Sequence, residues 1–292
     1  DSEKLNNLQA QVLGVQDSLY KRVRLSLSDG SIEKFYSTFT YNTDSNPQDI
    51  AIFRNPGGAA ESLIIADLGT KSVLRISLYD NKKESIPDDN KVVDKPFRVY
   101  ARPDSIFVFD LTNGILKSEY KNGVFQSFVK LSGLGVENIK AGDAIEFAMI
   151  TQNENAYILD REQKALLRSI NYEGGYSLVS AYLEKEEYVN ANDVFADDMS
   201  IYITAQEENG LYRYINSGGK MVESPIKLTG LDSPIGNPLC GHTRDSLDQS
   251  LFIFDSNQSR LLRFEKPMES GEKRHPNEML LLRQYVYSDS WK

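Results

Sequence analysis

The sequence predicts an all-β propeller of four-stranded blades, preceded by a short N-terminal helix. Two observations carry the prediction. Five segments repeat one strand–turn–strand pattern in register, and further strand-like runs flank every copy. The chain has 292 residues, which exceeds one compact core but suits a set of repeated sheets.

The repeat is an alternating apolar strand, an acidic residue, a polar turn, and a Leu-basic pair that opens a second strand. Its copies are Leu63 to Leu78 (LIIADLGTKSVLRISL), Ile106 to Tyr120 (IFVFDLTNGILKSEY), Ala156 to Ile170 (AYILDREQKALLRSI), Ile201 to Ile215 (IYITAQEENGLYRYI) and Leu251 to Glu265 (LFIFDSNQSRLLRFE). The acidic position is Asp67, Asp110, Asp160 and Asp255, with Ala205 in the fourth copy, at separations of 43, 50, 45 and 50 residues. Eight residues on stands Arg75, Arg168, Arg213 or Arg263, and the second copy has Lys117 one residue early.

Period-two alternation such as Phe107-Val108-Phe109 marks strands with a buried face. Asn113-Gly114 and Asn209-Gly210 supply residues that tolerate positive φ in tight hairpins. An Asp at the strand end accepts backbone amides across the following turn, so the aspartates are expected to shape turns. Upstream strands are expected near Asp49–Phe53, Phe97–Tyr100, Ala144–Ile150 and Val194–Ala196. Downstream ones are expected near Gly123–Leu131, Tyr176–Leu183, Met221–Leu228 and Met279–Tyr287. Four strands per repeat is the make-up of a propeller blade.

Segments such as LIIADLGTKSVLRISL and LFIFDSNQSRLLRFE resemble NHL-type repeats, and residues 47–287 resemble the six-bladed propellers of the NHL and TolB-like group. That resemblance implies architecture, because the same architecture serves binding proteins, sensors and enzymes.

Residues 22–41 read as an extra hairpin turning at Asp29-Gly30. It is expected to join the C-terminal residues in a composite sixth blade, so the division is a helix over 1–21 and a propeller over 22–292. In the helix, Leu5, Leu8, Val12, Val15 and Leu19 step by three and four, the spacing of a coiled-coil seam. The row offers either packing on a propeller flank or a stalk and dimerisation helix.

The composition narrows function. Thirty-three basic against 42 acidic residues give a net charge of −9 without a basic stripe, which excludes a nucleic-acid partner. No apolar run can span a bilayer, so no membrane insertion is expected in this segment. The chain starts at Asp1, and an extracytoplasmic domain of a membrane-anchored protein is the favoured setting. Cys240 is the only cysteine, which precludes an intrachain disulfide.

Catalytic signatures are missing: no G-x-S-x-G, no H-E-x-x-H and no Walker loop. Cys240 and His242 stand two apart and can share a strand face, but a small cysteine buried on an inner strand is the expected state. His275 reads as a loop residue, and so do Asp197-Asp198. Entrances to inner strands carry Asp49, Arg98, Asp143, Asn192, Asp193 and Asn237, with His242 nearby, as candidates for a channel-mouth ligand site. Asp49, Asp143 and Asp193 are the candidate metal ligands, with Ca²⁺ the ion that suits oxygen donors.

The function these features favour is a noncatalytic interaction or sensor propeller that binds a protein or polar ligand at one face. The alternatives are a metal-dependent hydrolase or lyase using the channel carboxylates, and a structural ectodomain of a membrane-anchored protein.

Overall fold

The computed structural model describes residues 2–19, 22–25, 44–54, 61–80, 82–139, 144–149, 154–172, 175–197, 200–217, 220–243, 250–266 and 277–287. The fold is an all-β propeller of small antiparallel sheets with one N-terminal helix. It divides into two compact units, residues 35–189 and residues 1–34 with 190–292.

The chain opens with helix α1 (Ser2–Leu19) and strand β1 (Arg22–Leu25). Blade 1 follows, with β2 (Pro47–Arg54), β3 (Glu61–Asp67), β4 (Ser72–Ser77) and β5 (Lys83–Ser85). Blade 2 holds β6 (Pro96–Arg102), β7 (Ser105–Asp110), β8 (Gly114–Lys121), β9 (Val124–Phe125) and β10 (Val129–Lys130). Blade 3 holds β11 (Ala144–Met149), β12 (Ala156–Asp160), β13 (Ala165–Ser169), the hairpin β14 (Asn171–Tyr172) and β15 (Gly175–Tyr176), and β16 (Ser180–Glu184). Blade 4 is β17 (Ala191–Ala196), β18 (Ser200–Ala205), β19 (Leu211–Ser217) and β20 (Lys220–Glu223). Blade 5 contains β21 (Lys227–Thr229), β22 (Pro238–Thr243), β23 (Ser250–Asp255), β24 (Arg260–Glu265) and β25 (Glu278–Tyr287).

The described residues thus form five blades, not the six expected. The reason lies at the outer edge of the ten-residue β25. There β21 pairs in parallel with Glu278–Leu280, and β1 pairs in parallel with Gln284–Tyr287. An exposed strand edge presents unpaired amides and carbonyls, and two short strands take most of this one. The N-terminal strand therefore extends blade 5 instead of founding a sixth. The rest of the expected hairpin, with Asp29-Gly30, lies outside the described residues.

Each second strand is buried on both faces, and its alternation feeds two cores. In β7, Ile106 and Val108 pack with Phe53, Ile64 and Val99, between blades 1 and 2. Phe107 and Phe109 pack with Phe147, Ile158 and Leu167, between blades 2 and 3. In the other unit, Leu251, Ile253, Leu262 and Phe264 meet Phe195 and Tyr202 of blade 4.

The repeat aspartates are fully buried, and three of them do more than shape a turn. Asp110 accepts from the amides of Thr112 (2.8 Å) and Asn113 (2.9 Å) in its own turn. Its other oxygen accepts from Asp94 (2.8 Å) and Lys95 (2.7 Å), the segment that leads into β6. Asp67 takes Gly69 and Thr70 from its turn, and Asn46 and the Ser45 hydroxyl from the entry to β2. Asp255 takes Gly236 and Asn237 before β22, and adds the Arg260 guanidinium at 3.0 Å. Where Ala205 stands instead, the backbone alone closes the turn, through Ala205 N–H to Gly210 O at 2.8 Å. A Cβ on Gly210 would lie 2.3 Å from that Ala205 oxygen, so the turn requires glycine.

The basic residue of the repeat reaches back to the serine that starts the partner strand. Arg75, Arg213 and Arg263 donate through Nε to Ser62, Ser200 and Ser250 at 3.1, 3.2 and 3.0 Å. Asp197, expected in a solvated loop, is instead buried. It pairs with the buried Lys266 at 3.1 Å, and Lys266 also donates to Thr243, which ties blade 4 to blade 5. Asp198 lies outside the described residues.

Asp110→Ala should cost about 3 kcal/mol, because it strands buried amides in two segments at once. Urea denaturation at neutral pH measures this; a loss under about 1 kcal/mol, the net worth of one ordinary hydrogen bond, would contradict the double role.

Candidate functional site

The candidate residues sit on or beside the first strand of each blade, and a shared irregularity decides where they point. The first strands β2, β6, β11, β17 and β22 each carry a β-bulge after their opening residue. The register slips at Pro47/Asp49, Pro96/Arg98, Ala144/Glu146, Ala191/Asp193 and Pro238/Cys240. A bulge re-aims the side chain that follows it. Asp49, Arg98, Glu146, Asp193 and Cys240 are therefore structurally equivalent. Three of these are among the expected site residues, and Glu146 is not.

In residues 35–189 the post-bulge side chains run from blade to blade. Asp49 Oδ2 accepts the amide of Val99 on β6 at 2.8 Å. Arg98 Nε pairs with Glu146 Oε2 on β11 at 2.8 Å, and its guanidinium lies 3.9 Å from the Phe97 ring centroid. Glu146 also accepts the amide of Phe147 at 3.0 Å. Burial pushes the Asp49 carboxyl above its ordinary range, against the opposing pull of the Val99 and Ile50 amides and of Arg98.

In the other unit, Asp193 Oδ2 accepts the amide of Gly241 on β22 at 2.8 Å. This repeats what Asp49 does to Val99. Gly241 is fixed by the approach, since a Cβ there would lie 2.1 Å from Cε1 of Phe195. Asn192 Nδ2 donates to Asn237 Oδ1 (3.2 Å) and to the carbonyl of Pro238 (3.0 Å). Asn237 in turn donates to the Ser256 hydroxyl at 2.9 Å. Cys240 and His242 are both exposed on β22, so the cysteine is not the buried apolar residue expected.

Asp143 lies outside the described residues, as does His275. Asp49 and Asp193 belong to separate compact units, and each is engaged by a neighbouring strand's amide. Among the described residues, no group of three His, Cys, Asp or Glu side chains is placed to hold a metal ion. An open cavity of about 480 Å³ lies in the 190–292 unit, lined by Leu211, Ile226, Leu228, Leu231 and polar residues including Asn209 and Asp232, and none of the candidates lines it. Asp232 is committed there to the buried Arg260 at 3.0 Å. No helix among the described residues is long and apolar enough to cross a membrane.

No protein-family model matches the chain, and no curated protein matches its sequence. Solved structures do resemble it. A chain of a nidogen/laminin complex superposes with a TM-score of 0.52 at 12% identity, covering 82% of this chain and 85% of that one. A gluconolactonase from Xanthomonas campestris gives 0.46 at 13% identity, covering 66% of this chain and 65% of that one. An auxiliary nutrient binding protein from Bacteroides ovatus gives 0.49 at 11% identity, covering 70% of this chain and 52% of that one. At such identities the likeness is one of fold alone.

A carboxyl whose pKa is raised on folding favours the native state most when protonated. The contribution of Asp49 to native stability should therefore fall as pH rises from its ordinary value of 3.8 through its raised native value. Asp49→Asn keeps an oxygen for the Val99 amide and removes the charge. The variant should lose less stability than the parent between pH 4 and pH 7, measured by urea denaturation at both; an identical loss in the two proteins would show that Asp49 carries no such penalty.

Proposed function

We propose that this chain is a noncatalytic interaction propeller that binds a protein or polar ligand at one face. The observation that carries the proposal is the engagement of its inner-strand polar side chains. Asp49, Arg98, Glu146 and Asp193 each serve a neighbouring blade, through an amide or an ion pair. A catalytic metal site would need at least three oxygen donors within about 2.3–2.6 Å of one ion. Open apolar positions on the same strands support binding as well: Ile50 and Ile52 are exposed on β2, and Leu239 on β22. The strand–Asp–turn–Leu–basic unit supports a likeness of architecture to the NHL-type and TolB-like propellers.

Thermal unfolding with excess calcium, and again after chelation, tests this proposal alongside a hydrolysis screen over lactones and esters. A cation site filled at a hundred times its Kd adds about 2.7 kcal/mol to native stability, which is readily seen in Tm. The expected outcome is an unchanged Tm and no turnover. A calcium-dependent rise that Asp49→Asn or Asp193→Asn removes would overturn the proposal in favour of the hydrolase or lyase.

A further inference from the structure

The apolar row of α1 is open along its whole length. Leu5, Leu8, Val12, Val15 and Leu19 are between 49 and 70% exposed. A helix of 18 residues is about 27 Å long and, alone in water, only marginally stable; Gly14 in its interior weakens it further. Burial of this row is what would hold the helix. Resting on the proposal of an interaction propeller, and naming one of its partners, we infer that the row pairs with the same row of a second copy of this chain.

Three features select that occupant. First, the row follows the strict two-per-heptad spacing of a seam between like helices, whereas a helix lying on a globular surface shows three or four apolar positions per two turns. Second, the positions flanking the seam are Gln9, Gln11, Gln16 and Ser18, with Lys4 the one charge among them. Two copies of a chain with net charge −9 repel each other, yet these helices meet through neutral borders. Third, Lys4 is the only basic residue in α1, which does not suit an anionic membrane surface; helices lying there carry a basic polar face. The helix leads directly to β1, hydrogen-bonded to β25, so the pairing would join two propellers through their fifth blades.

Sedimentation of the full chain across a concentration series tests the inference. The mass should rise toward twice that of the monomer, and Leu8→Glu with Val15→Glu should hold the chain monomeric with its blades still folded by circular dichroism. Val12 is the middle of the five and, with the two helices parallel and in register, meets its own counterpart. Val12→Cys, made with Cys240→Ser, should therefore cross-link into a dimer on mild oxidation. A chain that stays monomeric throughout overturns the inference, as does a dimer that survives the glutamates or fails to cross-link. A monomer that co-sediments with phosphatidylserine vesicles would also overturn it, assigning the row to a membrane surface. None of these outcomes alters Tm in calcium or turnover, so pairing can fail while the interaction propeller stands.

Discussion

The structure depends on a carboxylate buried where two segments of backbone need acceptors. A charge removed from water is tolerable only when hydrogen-bond donors surround it. At Asp67 and Asp110 those donors are amides from the turn after the second strand and from the segment entering the first, and at Asp255 they are the entering amides and the Arg260 guanidinium. One side chain thereby fixes the entry, the turn and the strand between them. The loops it holds run over the surface, and such loops leave amides that must be satisfied individually. A blade of about 47 residues gains its register from a single residue type at a single place.

The first strands obey a second constraint. Their bulges all fall two residues from the start, and at four of the five the next side chain bonds to a neighbouring blade. That position then holds whatever the neighbour can answer. Aspartate meets a backbone amide at Val99 and at Gly241, and arginine meets glutamate between β6 and β11. Sheets packed only through interlocking apolar side chains could slide along one another. A directional polar contact near the strand start holds them in place, and the row of polar residues on inner strands is explained by packing before any ligand is invoked.

Much of the architecture was legible because a repeat multiplies weak signals. One Asp beside one alternating strand means little, but four at similar separations, each followed by a basic residue, define a unit. The second function of those aspartates was not legible, since their donors lie 15 to 22 residues upstream, in segments without a motif of their own. Blade number failed for a related reason: a parallel edge contact such as β1 on β25 leaves no pattern in either strand. At the candidate site, residue type was visible and direction was not. Glu146 was passed over because bulges cannot be read from alternation, and without the bulge it has no link to Asp49, Arg98 or Asp193. Asp197 was misread because its partner, Lys266, stands 69 residues away.

Blade 4 shows which part of the repeat can be dispensed with. It has lost the aspartate to Ala205, yet it keeps the arginine, the serine it reaches and the fully buried second strand. Its turn is rebuilt from Asn209, at φ +54°, and Gly210, and the Asn209 side chain accepts the Ile235 amide ahead of β22 at 3.1 Å. The entry to the following blade is thus secured by a side chain from the turn, as elsewhere, but a neutral one serving the next blade instead of its own. A buried carboxylate is one solution among several. In blades 1, 2 and 5 alike, amides in the segment entering the first strand find a side-chain acceptor, because a backbone amide shut away from water must be paired.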